Sequence, residues 1–180
     1  MFTRKALFQT ALLLSWTTLV PLLGMHQQAV TAEITNTARA EQKTDLANVK
    51  ALDTRLILKL RERHVYLYQG DRLLASYPVA VGKKGWETPT GNFKVIQMIE
   101  NPVWEHPWNG SIVLSGPNNP LGERWIAFWT DGKNYIGFHG TPAEQLIGQA
   151  VSHGCIRMRN KDVKALFEKV TLGTPVIVEP

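Results

Sequence analysis

Apolar and polar positions divide the chain into three stretches. Ala6 to Gly24 is a Leu-rich apolar stretch, broken by Gln9, Ser15 and Pro21 and preceded by the positive pair Arg4 and Lys5. Val30-Thr31-Ala32 then supplies the small side chains that an export peptidase accepts, so residues 1–32 have the layout of a signal peptide. The apolar stretch is also close to the roughly 20 residues that cross a bilayer, so an uncleaved membrane anchor is the competing reading. Either way the rest of the chain is expected to be exported. Residues 33–53 are polar, without apolar periodicity, and read as a flexible linker.

From Thr54 onward the period shortens to that of strands. Arg55 to Leu60 alternates strictly, and His64 to Tyr68 is β-prone. Gln69-Gly70-Asp71 is a turn, and Arg72 to Val81 reads as the next strand of a meander. Further strands are predicted at Asn92 to Glu100, Ile112 to Leu114, Trp125 to Trp129, Tyr135 to His139 and Pro175 to Glu179. Two helical patterns interrupt them. Pro142 to Gly148 has Thr141 as its N-cap and Pro142 at the first position. Lys161 to Val170 places Val163, Leu166, Phe167 and Val170 on one face, with Asn160 as cap and Gly173 beyond the end. Residues 54–180 are therefore expected to form a single mostly-β domain, a β-sandwich or barrel-like architecture with one or two short helices.

The net charge of +5 over 180 residues changes little in this picture. Removing residues 1–32 takes away Arg4 and Lys5 and no acid, leaving +3. The remaining Lys and Arg are scattered among acids instead of forming a stripe, which argues against nucleic acid as a partner. Cys155 is the only cysteine, so the domain has no internal disulfide and must rely on its core. An unpaired thiol in an exported protein is exposed to oxidation. It is either a small buried hydrophobe or a working group.

Ser152-His153-Gly154-Cys155-Ile156-Arg157 is the segment with the most chemistry in it. Were it extended, His153, Cys155 and Arg157 would share a face, and two cations beside a thiol favour the nucleophilic thiolate. The N–H groups of Gly154 and Cys155 are candidate donors to a developing oxyanion. A cysteine nucleophile needs a base, and spacing allows either His153 or His139, the latter at a predicted strand end in Phe138-His139-Gly140-Thr141. Metal binding by His139, His153 and Cys155 is the rival chemistry, but no fourth ligand is evident. Trp86, Trp104, Trp108 and Trp125, in the turn-rich middle of the chain, are candidates to line a cleft or to fill the core.

His139-Gly140-Thr141 followed by Ser152-His153-Gly154-Cys155-Ile156-Arg157-Met158 resembles the signature of the YkuD-type L,D-transpeptidases. Thr88-Pro89-Thr90-Gly91-Asn92-Phe93, Asn119-Pro120-Leu121-Gly122 with Arg124-Trp125, and Gly173-Thr174-Pro175-Val176 extend the likeness in order from about Thr54 to Glu179. The resemblance implies a β-rich fold and a cysteine, Cys155, that attacks the third residue of a peptidoglycan tetrapeptide stem and releases the terminal D-Ala. An amine of another stem then resolves the acyl-enzyme. It also implies His139 as base, oriented by the Gly140 carbonyl. His153 and Gly154 are assigned to the oxyanion pocket, and Arg157 with Ser152 to substrate binding. No cofactor and no metal are implied, and the expected state is a monomer in the periplasm or cell wall with a possible N-terminal membrane tether. An L,D-carboxypeptidase using the same acyl-enzyme, and a wall-binding module without activity, are the alternatives.

Overall fold

This computed structural model describes residues 54–106 and 109–180, together with Arg39. The expected signal segment 1–32 and the linker 33–53, save Arg39, lie outside the described residues, as does Trp108. The elements in chain order are β1 (Thr54–Lys59), β2 (His64–Gln69), β3 (Arg72–Pro78), β4 (Val81–Gly82), β5 (Gly91–Lys94), β6 (Gln97–Glu100) and β7 (Trp104–Glu105). They continue with β8 (Ile112–Val113), β9 (Arg124–Thr130), β10 (Tyr135–His139), a 3-10 turn (Glu144–Leu146), β11 (Ala150–Ser152), β12 (Ile156–Arg157), α1 (Asn160–Phe167) and β13 (Pro175–Glu179). No helix among the described residues is long and apolar enough to cross a membrane.

The alternation in β1 turns Leu56 and Leu58 inward, fully buried, while Arg55, Ile57 and Lys59 sit on the other face. Each inward leucine meets aliphatic partners on both neighbouring strands. Leu56 lies opposite Leu67 on antiparallel β2 and Val176 on parallel β13, and Leu58 opposite Val65 and Val178. This five-stranded sheet runs β3-β2-β1-β13-β5. A second sheet runs β12-β10-β9-β6, and its Ile126, Phe128, Phe138 and Ile156 join the same core. Phe128 bridges the two, with ring centroids 5.5 Å from Phe93 and 5.2 Å from Phe138. Each such buried side chain contributes about 1.5–3 kcal/mol. α1 adds Val163 and Leu166 to the core. The mostly-β sandwich expected from the sequence is the fold observed.

The differences from expectation lie where strands change sheets. Asn92 to Glu100 is two strands, not one: Val95 N–H donates to Thr174 O at 2.9 Å and Ile96 N–H to Ala127 O at 2.8 Å. The chain therefore leaves the five-stranded sheet and enters the four-stranded one within a single residue step. Arg72 to Val81 likewise breaks after Pro78, because Val79 N–H turns to Arg63 O and Ala80 pairs with Arg157. The helix expected at Pro142 to Gly148 shrinks to the three-residue 3-10 turn. Thr141 Oγ1 accepts only the Ala143 N–H at 3.2 Å, and Gly148 N–H is drawn off to Val79 O at 3.1 Å, leaving too little chain to propagate a helix. In α1, Asn160 is the first helical residue, not the cap, and its N–H is bonded by Glu144 Oε1 at 2.9 Å.

Candidate active site

β10 and β12 are parallel neighbours, with Phe138 opposite Ile156 and His139 opposite Arg157. Cys155 immediately precedes Ile156, and His139 immediately follows Phe138. The two candidates for thiol chemistry thus flank one cross-strand pair, on strands spaced by about 4.8 Å. Cys155, half-buried, donates its thiol proton to Tyr135 O at 3.8 Å. Its neighbour on β10, Gly137, follows the β-bulge at Ile136/Gly137, and the Gly137 N–H bonds the sulfur.

His139 is 5% exposed and lies in a hydrogen bond of 2.6 Å from Nδ1 to Gly140 O. A carbonyl accepts only, so Nδ1 carries the proton and Nε2 holds a lone pair. Burial lowers His139 from 6.5 to about 4, opposed by the Gly140 bond and helped by Arg157. Burial pushes the Cys155 thiol up from 9.0, against the pull of the Gly137 N–H and Arg157. The resting pair is therefore neutral thiol and neutral imidazole, and the two-cation field expected from an extended segment does not develop.

The cause is local. The segment is not extended: β11 ends at Ser152, β12 begins at Ile156, and Gly154 between them has φ +110°. A side chain is strained at that angle, which explains the glycine. His153 is thereby turned to solvent, its ring edge-on to Trp86 with centroids 4.8 Å apart. Desolvation first, then Lys83 and Arg157, hold His153 below its ordinary value. Ser152, buried, ties the turn from inside: its Oγ donates to Cys155 O at 2.6 Å and accepts the Gly154 N–H at 3.1 Å. The Gly154 N–H, one of the two candidate oxyanion donors, is thus already engaged.

The loop Gly82–Thr88 wraps the same turn from outside. Lys83 N–H donates to Ser152 O at 3.0 Å, and buried Thr88 donates to Gly154 O at 2.8 Å while accepting the Gly82 N–H at 3.2 Å. Thr88 belongs to the Thr88-Pro89-Thr90-Gly91-Asn92-Phe93 motif, in which nothing local points to this role. Lys83, which acts on His153, was missed as well, because nothing local ties residue 83 to residue 153. Arg157 lies half-buried on β12, with no carboxylate within ion-pair distance among the described residues.

The tryptophans separate. Trp125 is buried outside the main core cluster, 6.0 Å from the His139 ring, with its Nε1 on Gln97 Oε1 at 2.9 Å. Trp86, 49% exposed, stands by His153, whereas Trp104 packs on His106 at 5.1 Å. No group of three or more His, Cys, Asp or Glu among the described residues is placed to hold a metal ion.

Residues 53–178 match the family model described as the L,D-transpeptidase catalytic domain, YkuD. The chain belongs to that family. Among curated relatives, Bacillus subtilis YqjB, provisionally named an L,D-transpeptidase, is 39% identical over 129 residues, 70% of this chain and 71% of that one. Escherichia coli YbiS, provisionally named in the same way, is 35% identical over 135 residues, 67% of this chain but 43% of its own length. Among solved structures, L,D-transpeptidase 3 of Mycobacterium tuberculosis, in complex with a faropenem-derived adduct, superposes with a TM-score of 0.59 at 16% identity. That match covers 71% of this chain and 60% of the other, and at such identity it speaks to the fold alone. A mutant L,D-transpeptidase of Enterococcus faecium gives a TM-score of 0.58 at 26% identity, over 70% of this chain and 49% of that one.

Proposed function

We propose that this protein is an exported L,D-transpeptidase that acts on peptidoglycan stem peptides through a thioester on Cys155. The observation that carries the reading is the buried His139 ring, held Nδ1-first on Gly140 O at 2.6 Å beside the strand that presents Cys155. Family membership supplies the substrate class.

In this scheme Cys155 Sγ attacks the carbonyl of the third stem residue as its proton passes to His139 Nε2. A neutral base and a neutral thiol suit proton transfer during attack, not a preformed ion pair. The Cys155 N–H, displayed by the turn at Gly154, is the backbone donor to the oxyanion, with His153 beside it. As the tetrahedral adduct collapses, the C–N bond to the terminal D-Ala breaks and His139 returns the proton to the departing amine. The amine of a second stem then attacks the thioester, loses its proton to His139 and regenerates the thiol. The thioester conserves enough energy to form the new amide, which direct hydrolysis would waste. Arg157, without an acidic partner among the described residues, binds a stem carboxylate with its planar fork, and Ser152 keeps the turn in shape. Residues 1–32 direct export, tethering the domain to the membrane where they are not cleaved, and the active unit is a monomer.

The test is incubation of the protein with a disaccharide tetrapeptide, read by mass spectrometry. Cross-linked dimers that vanish in Cys155→Ala support transfer. Trimmed monomers alone would replace it by an L,D-carboxypeptidase, and unchanged substrate by a wall-binding module.

A further inference from the structure

We propose that Asn160 is a positioning residue for His139, acting through the peptide that His139 bonds. The Asn160 side chain spans the ends of two strands. Its Oδ1 accepts Glu123 N–H at 3.0 Å, just before β9, and its Nδ2 donates to Thr141 O at 3.3 Å, just after β10. Gly140 lies between, and its own N–H donates to Arg124 O at 3.3 Å. The Gly140–Thr141 peptide, whose oxygen receives His139 Nδ1–H, is therefore fixed on both sides: by β9 before it and by Asn160 after it. Asn160 also packs on the Gly140 Cα so closely that a Cβ there would land on Asn160 Oδ1. Only glycine fits, and the amide stops the peptide from rotating.

The orientation of a base is chemistry when it sets the tautomer. If the Gly140 carbonyl swings away, Nδ1–H loses its acceptor and the imidazole is free to carry its proton on Nε2, the atom that must receive the thiol proton. Asn160 is placed for this duty by α1. The Asn160 N–H is bonded by Glu144 Oε1 at 2.9 Å, and Lys164 one turn later bonds Glu123 at 2.8 Å. The helix start is thus moored to both loops that frame His139. An ordinary capping role would need the side chain to accept helix N–H groups, and here it accepts none among the described bonds.

The proposal rests on His139 being the base, and its first readout does not require the transpeptidase reading. Long-range 1H–15N NMR of the 15N-labelled full chain near neutral pH, with His139 assigned from the His139→Gln spectrum, should show the Nδ1–H tautomer. In Asn160→Ala that signal should give way to the Nε2–H form or a mixture. Turnover of the tetrapeptide should fall about 10- to 100-fold in kcat, with KM changed less than about twofold. Asn160→Asp keeps an oxygen for Glu123 N–H but loses the donor to Thr141, so it should show the same tautomer change even if the alanine variant does not fold. Glu144→Ala removes the bond to the Asn160 N–H without touching its amide, and should lower the melting temperature while leaving tautomer and kcat within about twofold of wild type. A folded Asn160→Ala or Asn160→Asp protein that retains the Nδ1–H tautomer and full kcat would overturn the assignment. Absence of turnover by the wild type, with the tautomer change intact, would count against the function and not against the role of Asn160.

Discussion

Replacing Thr88 by Val keeps the side chain's branching and bulk and deletes one hydroxyl, the one that ties the outer loop to the Cys155 turn. That hydroxyl donates to Gly154 O at 2.8 Å and accepts Gly82 N–H at 3.2 Å, in a residue only 4% exposed. Each bond contributes about 1 kcal/mol net, and a buried group left without a partner costs about 1–3 kcal/mol. Gly154 is buried and Gly82 half-buried, so at least one orphan stays away from water. The expected destabilisation of Thr88→Val is therefore about 2–4 kcal/mol, against less than about 1 kcal/mol for Thr88→Ser, which keeps the hydroxyl. Urea unfolding gives the stabilities. The consequence for function is measured separately, at denaturant-free conditions where both variants are folded. With the Gly154 carbonyl released, the φ +110° turn that displays the Cys155 N–H loses its outer support, and, under the proposed function, acylation of Cys155 by the disaccharide tetrapeptide should slow about tenfold or more, as for loss of a supporting residue at an active centre. The reasoning is refuted if Thr88→Val lies within about 0.5 kcal/mol of wild type and acylates at the wild-type rate.

Two further outcomes follow from the protonation states. His139 is held at about 4 against an ordinary 6.5, so as pH falls the unfolded chain takes up the proton first. Stability fully present above about 6.5 is lost progressively down to about 4, by about 3 kcal/mol in all; His139→Gln should flatten chemical denaturation profiles in that window, and an unchanged slope would contradict the burial argument. The Cys155 thiol is raised, so its iodoacetamide alkylation at pH 7.5 should be slower than that of glutathione and should climb only at more alkaline pH. Faster alkylation than glutathione would show a preformed thiolate and remove the neutral-pair mechanism.

Patterning along the chain was enough to place most of the strands and to single out His139 and Cys155 as candidates for the chemistry. Strict alternation in β1 follows from one face being buried, where Leu56 and Leu58 meet the equally buried Leu67, Val65, Val176 and Val178 of β2 and β13. The spacing of Val163, Leu166 and Phe167 located the helix for the same reason, although it ends at Phe167 and Val170, expected in its last turn, enters the core from beyond that end; the ordered motifs around His139 and Cys155 named the family.

The tertiary structure alone decided where strands break and what each polar side chain bonds. Val95 N–H finds its carbonyl at Thr174 and Ile96 N–H at Ala127, on different sheets, so a segment that reads as one strand is two. Asn160 reads as a helix cap because its local neighbours suggest one, yet its amide goes to Glu123, 37 residues away, and to Thr141, 19 residues away. Thr88 and Gly154 are 66 residues apart and meet only when β4 pairs with β11. The protonation of His139 and Cys155 is also settled by the fold, since it depends first on how far each is removed from water and, for His139, on the field of Arg157 from the adjoining strand. Periodicity reports burial, which each residue carries in its own hydrophobicity; hydrogen-bond partners and local fields belong to pairs brought together by the fold.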